Sequence, residues 1–299
     1  MRFLIITLGS AGDLHPFLAI ARALAERGAD VRLASQEPHR AEVESQGVRF
    51  ESIVSAHDHH RTAAHPDLWH PVNGFGVLWR HLAVPAIGPT IELIARLDAE
   101  SPRGLTVLAS PLAVGARLAA EVRQIRHVTG ITAPSALRSH EDPMLLGPWQ
   151  VPSWLPAAPR RWLWKALDRW KLEPMAANAV QHWREQLGLA PLCEPIFDQW
   201  IHSSREIMGL YPKAFAHPPR EWASKLELHG FPLYETQVVP ELDPELWQYL
   251  GQAERLVVFY PGSVPTAAGE LMSESAQQIA KSGISVLLIG PESAESEAT

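Results

Sequence analysis

The chain opens Met1-Arg-Phe-Leu-Ile-Ile-Thr-Leu-Gly9-Ser10-Ala-Gly12-Asp13-Leu-His15-Pro16-Phe17. An unbroken apolar run that ends in a pair of glycines predicts a buried parallel strand turning directly into a helix. In open α/β sheets such a turn is where ligands bind. Gly9 and Gly12 lack a Cβ, so the backbone can turn sharply and present its N–H groups at the positive end of the helix. Asp13 carries the one carboxylate of the turn, and spacing leaves it two roles. Asp13 caps the helix itself, or His15 is the cap and Pro16 the first helical residue, which frees Asp13 for a substrate.

Outward from this turn the pattern repeats. Leu18, Ala21 and Leu24 recur at helical spacing up to Gly28, residues 31–34 read as a second strand, 37–46 as a helix closed by Gly47, and 48–54 as a third strand. This β-α-β-α-β order predicts a Rossmann-like α/β domain, a parallel sheet with helices on both faces. Residues 55–73 read as a loop holding His57, His59, His60, His65 and His70, whose spacing fits no zinc pattern. No metal site is expected. A long helix over 74–97 carries Pro85 and Pro89, which predict a kink. Residues 105–109 and 126–131 read as strands around a helix at 114–122, and 133–159 as a proline-rich loop.

Residues 160–187 read as helical, broken at Pro174, and begin with a mixture of tryptophans and basic residues. One reading lays this helix on an anionic membrane surface. The plainer one turns Leu163, Leu167 and Trp170 to the core and leaves the cations solvated. Short strands at 207–210 and 226–229 precede an acidic, proline-punctuated linker at 236–254. Residues 255–290 then give a second strand, glycine turn, helix, strand unit around Gly262 and Ser263, and 291–299 an acidic tail expected to be disordered. One such unit cannot cover both faces of a parallel sheet, so the first 235 residues are expected to be a whole domain and the second an incomplete one.

Composition narrows the function. The net charge of −7 over 299 residues excludes a general nucleic-acid surface. A single cysteine, Cys193, excludes an internal disulfide and suits a reducing cytoplasm. No apolar run approaches the roughly 18 residues of a membrane span. The first turn lacks the Gly-x-Gly-x-x-Gly spacing of a dinucleotide site, and the second strand ends in Ser35-Gln36 where an acid would hold a ribose. Neither a Walker A loop, a Gly-x-Ser-x-Gly elbow nor a His-Glu-x-x-His helix occurs. Two glycine turns, with a carboxylate in only the first, suit an acceptor on one side and a phosphate-bearing donor on the other, with Asp13 deprotonating the acceptor hydroxyl.

The segment Leu8-Gly-Ser-Ala-Gly-Asp-Leu-His-Pro-Phe17 resembles the N-terminal signature of GT-B fold glycosyltransferases. His65-Pro-Asp-Leu-Trp-His-Pro71, Phe75-Gly-Val-Leu-Trp79, Ile196-Phe-Asp-Gln-Trp-Ile-His-Ser203 and Gly230-Phe-Pro-Leu233 resemble the bacterial rhamnosyltransferases of rhamnolipid synthesis. The resemblance implies inverting transfer of a hexose, of rhamnose or glucose type, from a nucleotide sugar to a hydroxyl of a lipophilic acceptor, without a metal ion or other cofactor. Asp13 falls on the position of the family's base and His15 on a variable one. Gly9, Ser10, Gly12 and His15 would line the acceptor side, and Gly262 and Ser263 the donor side. The family continues through a diphosphate-gripping loop, and Pro261 stands where it usually has Gln. A truncated enzyme, inactive alone and completed by a missing donor domain, is therefore expected, with a non-catalytic acceptor-binding or partner domain as the alternative.

Overall fold

In the computed structural model the described residues are 1–100, 104–139, 145–146, 149–152, 154–202, 205–234, 243–260 and 268–289. They fall into two units, Met1–Tyr234 and Glu235–Thr299.

In the first unit, β1 (Arg2–Ile6) leads into α1 (Ala11–Glu26), followed by β2 (Asp30–Gln36), α2 (Arg40–Ser45) and β3 (Arg49–Val54). Then come α3 (Ala56–Ala63), α4 (Gly74–Leu78), α5 (Val84–Glu100), β4 (Leu105–Ala109), α6 (Val114–Arg123) and β5 (Arg126–Ile131). A short antiparallel pair, β6 (Leu145–Leu146) and β7 (Trp149–Gln150), precedes α7 (Ala157–Leu167) and α8 (Glu173–Gln186), with β8 (Glu206–Gly209) and β9 (Leu226–Leu228) last. The main sheet runs β3-β2-β1-β4-β5-β8-β9, with every neighbour parallel. Strand order reverses between β1 and β4, which puts the crevice for a ligand at the carboxyl end of β1.

Strand alternation explains why both faces are covered. Leu4, Ile6 and Leu8 pack with Leu93, Ile94 and Leu97 of α5 and with Ala116 and Ala119 of α6. Ile5, between them in sequence, packs on the opposite face with Phe17, Leu18 and Ala21 of α1. Gly130 in β5 lies under the Phe17 ring, where a Cβ would come within 2.8 Å of two ring carbons.

Four local readings need correction. The histidine loop holds α3, started by Ser55, whose Oγ accepts the Asp58 N–H at 3.1 Å; this Ser-x-x-Asp cap is visible in the sequence. The long helix over 74–97 becomes α4, a π-helical turn at Trp79–Ala83 and α5, so the extra residue per turn falls just before Pro85, which has no N–H to give. Pro174 does not break the helix: a second π turn, Asp168–Leu172, precedes it, and Pro174 occupies the start of α8, where a missing N–H costs little. Trp170 does not face the core but is exposed.

In the second unit, α9 (Pro244–Gln252) lies within the stretch read as a linker, and β10 (Leu256–Phe259), α10 (Ala268–Ala280) and β11 (Ser285–Leu288) follow. β10 and β11 pair in parallel, and the Tyr249 hydroxyl both donates to the Val286 carbonyl and accepts its N–H, each at 2.8 Å. Gly262, Ser263 and the 291–299 tail lie outside the described residues. Among the described residues, no helix is long and apolar enough to cross a membrane.

Candidate active site

The turn after β1 settles which residue caps α1. Ser10 is the N-cap, in extended backbone, and Asp13 is the third helical residue. Neither sequence reading of the cap holds, and Pro16 falls in the second turn of the helix rather than the first. Asp13 nevertheless shares in capping. The Ser10 backbone N–H donates to Asp13 Oδ2 at 2.9 Å, and the Ser10 hydroxyl reaches the same oxygen at 3.3 Å. Asp13 Oδ1 takes no hydrogen bond from the described residues. Thr7 Oγ1 donates to the Asp13 carbonyl at 3.0 Å and ties the first helical turn to the end of β1.

Gly9 is required here. Its φ of +143° lies where side-chain-bearing residues are strained, and a Cβ would overlap the Asp13 carboxyl group. Gly12 has no such demand, since a Cβ there would meet only Ser10 Oγ at 3.7 Å.

Half-burial of Asp13 pushes its carboxyl above the ordinary aspartate value, against the two Ser10 hydrogen bonds that favour the anion. The helix N-terminus adds a positive field that also favours the anion. A carboxylate held in one orientation, with a raised pKa and one oxygen uncommitted among the described residues, has the form of a general base.

The residues ending β2 brace this turn. Gln36 Nε2 donates to the Gly9 carbonyl at 2.6 Å, while Ser35 Oγ donates to the Thr7 carbonyl at 2.9 Å. Both side chains are buried. Sequence reading used Ser35-Gln36 only to exclude a ribose-binding acid. The signal for their bracing role was two polar residues at the end of a strand otherwise buried on both faces. On the β4 side, the Ser110 N–H donates to the Ile6 carbonyl at 2.8 Å.

His15 does not stand free beside Asp13. Its Nε2 meets Glu42 Oε1 at 2.8 Å, and its ring stacks on Tyr234 with centroids 4.5 Å apart. Burial, followed by the neighbouring His59, holds His39 below the ordinary histidine value, and the two rings meet edge to face at 5.8 Å. Among the described residues, no three His, Cys, Asp or Glu side chains converge as metal ligands.

Residues 3–139 match the profile of the glycosyltransferase family 28 N-terminal domain. Over 53 residues the chain is 36% identical to a sterol 3-beta-glucosyltransferase of Pichia angusta, a match spanning 18% of this chain and 4% of that enzyme. It is 25% identical to the O-mycaminosyltylonolide 6-deoxyallosyltransferase of Streptomyces fradiae, covering 98% of this chain and 69% of that protein. The crystal structure of the glycotransferase of kitacinnamycin shares the fold, with a TM-score of 0.61 at 16% identity over 100% of this chain and 68% of its own. Residues 3–139 thus resemble a glycosyltransferase family 28 N-terminal domain, and the chain shares the fold of the GT-B glycosyltransferase structures.

Proposed function

We propose that the protein acts in inverting glycosyl transfer from a nucleotide sugar to a hydroxyl of a lipophilic acceptor, with Asp13 as the general base. The observation that carries this reading is the Asp13 carboxyl group: one oxygen fixed by Ser10, the other without a partner among the described residues, at the carboxyl end of the central strand. An acceptor hydroxyl is a weak nucleophile until its proton is taken, and a positioned base contributes typically about 10² to 10⁴-fold. The acceptor oxygen attacks the anomeric carbon as its proton passes to Asp13, and the nucleotide diphosphate departs with the bonding electrons.

A hexose of rhamnose or glucose type fits the resemblances at residues 65–79 and 196–203. The sterol glucosyltransferase relative supports a hydroxylated lipid as acceptor. The reading takes no metal ion, and the single exposed, unpaired Cys193 suits a cytoplasmic setting. Gly262 and Ser263 remain the proposed donor contacts.

The test is incubation of the protein, expressed from its full reading frame, with UDP- and dTDP-hexoses and a panel of hydroxylated lipids, followed by mass spectrometry. A product heavier than its acceptor by one hexose, absent with Asp13→Asn, is expected. Acceptor binding without transfer from any donor would instead favour the non-catalytic reading.

A further inference from the structure

The face of α7 and of the π turn after it contains nothing that the site at Asp13 uses. α7 has no buried residue. Trp154, just before it, is 78% exposed, Trp162 62% and Trp170 72%. Arg161, Lys165 and Arg169 follow one another at intervals of four, so they form a row along the helix with the two helical tryptophans beside it.

These three cations are exposed and have no ion pair or hydrogen bond among the described residues. The nearby cations that do have partners show the contrast. Arg160 donates to the Leu155 carbonyl at 2.8 Å and Lys171 to the Val72 carbonyl at 2.8 Å. Asp168, the one acid between residues 157 and 172, is buried and taken by Arg138 at 2.5 and 2.8 Å. The row therefore carries positive charge unopposed within its own segment, in a chain whose net charge is −7.

The inner side of α7 is anchored. Trp164 Nε1 donates to the Ser139 carbonyl at 3.2 Å, and the Arg138 guanidinium lies over the Trp164 ring at 4.4 Å. Arg138 and Ser139 belong to the chain leaving the carboxyl end of β5, the same sheet edge from which Asp13 follows β1. This anchoring holds the cation row and the indoles outward.

We propose that this face docks on an anionic lipid bilayer, the cations meeting headgroup charges while Trp154, Trp162 and Trp170 enter the interfacial layer. Indole rings partition to that layer because one edge is apolar and the N–H is not, and a basic row beside them adds attraction to anionic headgroups. The exposed Trp154, Trp162 and Trp170 beside the row favour a bilayer, whose interfacial layer takes up indoles, over the phosphate backbone of a nucleic acid. The proposal rests on the lipophilic-acceptor reading for its purpose alone, since it supplies a route to a membrane-held acceptor. Vesicle binding is read without turnover, so the two can fail separately.

The experiment is co-sedimentation of the purified protein with vesicles of phosphatidylcholine alone and of equimolar phosphatidylcholine and phosphatidylglycerol. Binding to the anionic vesicles only, weakened by added salt, is expected. Arg161→Gln/Lys165→Gln/Arg169→Gln should lower the partition coefficient on the order of 100-fold, at several-fold per charge. Trp162→Ser/Trp170→Ser should weaken binding with an unchanged circular dichroism spectrum. No sedimentation with anionic vesicles, equal sedimentation of the wild type and the triple variant, or concentration-dependent self-association that the triple variant abolishes would overturn the proposal.

Discussion

The Ser10 N–H and the Asp13 carboxylate are joined by a 2.9 Å hydrogen bond that uses Oδ2 and leaves Oδ1 without a partner among the described residues. In the proposed mechanism cap and base, which compete for Asp13 in the sequence, are therefore served by different oxygens of one group. The capping bond fixes the side-chain orientation that a base needs.

This division makes stability and catalysis separable. In Asp13→Asn the amide oxygen can still accept the Ser10 N–H, whereas Asp13→Ala removes the acceptor, so the alanine variant should be less stable than the asparagine one by about 1 kcal/mol. The pKa supports the same ranking. A carboxyl group whose folded pKa lies above its unfolded value favours the folded state at pH below the unfolded value, and that advantage is lost as pH rises through the folded pKa. At neutral pH the native protein thus bears a buried-charge cost that Asn lacks, and Asp13→Asn should unfold at a urea midpoint no lower than wild type. A large drop in that midpoint would show that the charge itself holds the turn.

Gly9→Ala should be far more disruptive than Gly12→Ala. The first places a side chain at positive φ and into the Asp13 carboxyl group, a strain of about 1 to 3 kcal/mol before any clash is relieved. The second meets only Ser10 Oγ at ordinary contact distance. Thermal denaturation of the two variants side by side checks the contrast, and equal melting temperatures would contradict it.

In the proposed mechanism Gln36 is a positioning residue that acts through Gly9. Replacing it by Leu leaves the Gly9 carbonyl without the donor it has at 2.6 Å, which should cost about 1 to 3 kcal/mol and lower kcat more than it raises KM. Gln36→Glu, which keeps the shape but supplies no donor, should behave like Leu. Unchanged kcat in both would remove Gln36 from the account.

Buried histidines make the fold acid-sensitive: burial pulls His127 down to about 3, and His202 adds a separable share. His202 is buried, its ring meets Trp222 edge to face at 4.8 Å, and burial, with Arg138 nearby, pulls its pKa down to about 4. Because the folded value lies below the ordinary 6.5, the unfolded chain binds the proton more readily, so stability is lost as pH falls from about 6.5 toward 4. The loss from this residue should approach about 3 kcal/mol. Urea titrations at pH 7 and pH 4.5 should show a smaller pH difference for His202→Asn than for wild type.

Much of this arrangement is legible in the sequence. The strands at 105–109 and 126–131 agree with β4 and β5 residue for residue, and Gly104 and Ser110 bound the apolar run of the first. Helix continuity across Pro174 and the π turn before Pro85 are not legible, since a π turn is set by packing and leaves no periodic mark. At the site, the glycine turn and Asp13 stood out as residue types, but the cap at Ser10 depends on backbone angles. The His15–Glu42–Tyr234 contacts join residues far apart in sequence, and no local pattern carries them.

The central claim is that Asp13 takes the acceptor proton, and the most direct measurement is the pH dependence of kcat for wild type and Asp13→Asn with one nucleotide sugar and one hydroxylated lipid. Wild-type kcat should rise with pH along an acid limb displaced above the ordinary aspartate value, as burial of Asp13 dictates. The asparagine variant should lose about 10² to 10⁴-fold in kcat, together with that limb, while keeping its fold and its acceptor affinity. A folded Asp13→Asn variant with wild-type kcat and an unchanged pH profile would contradict the account.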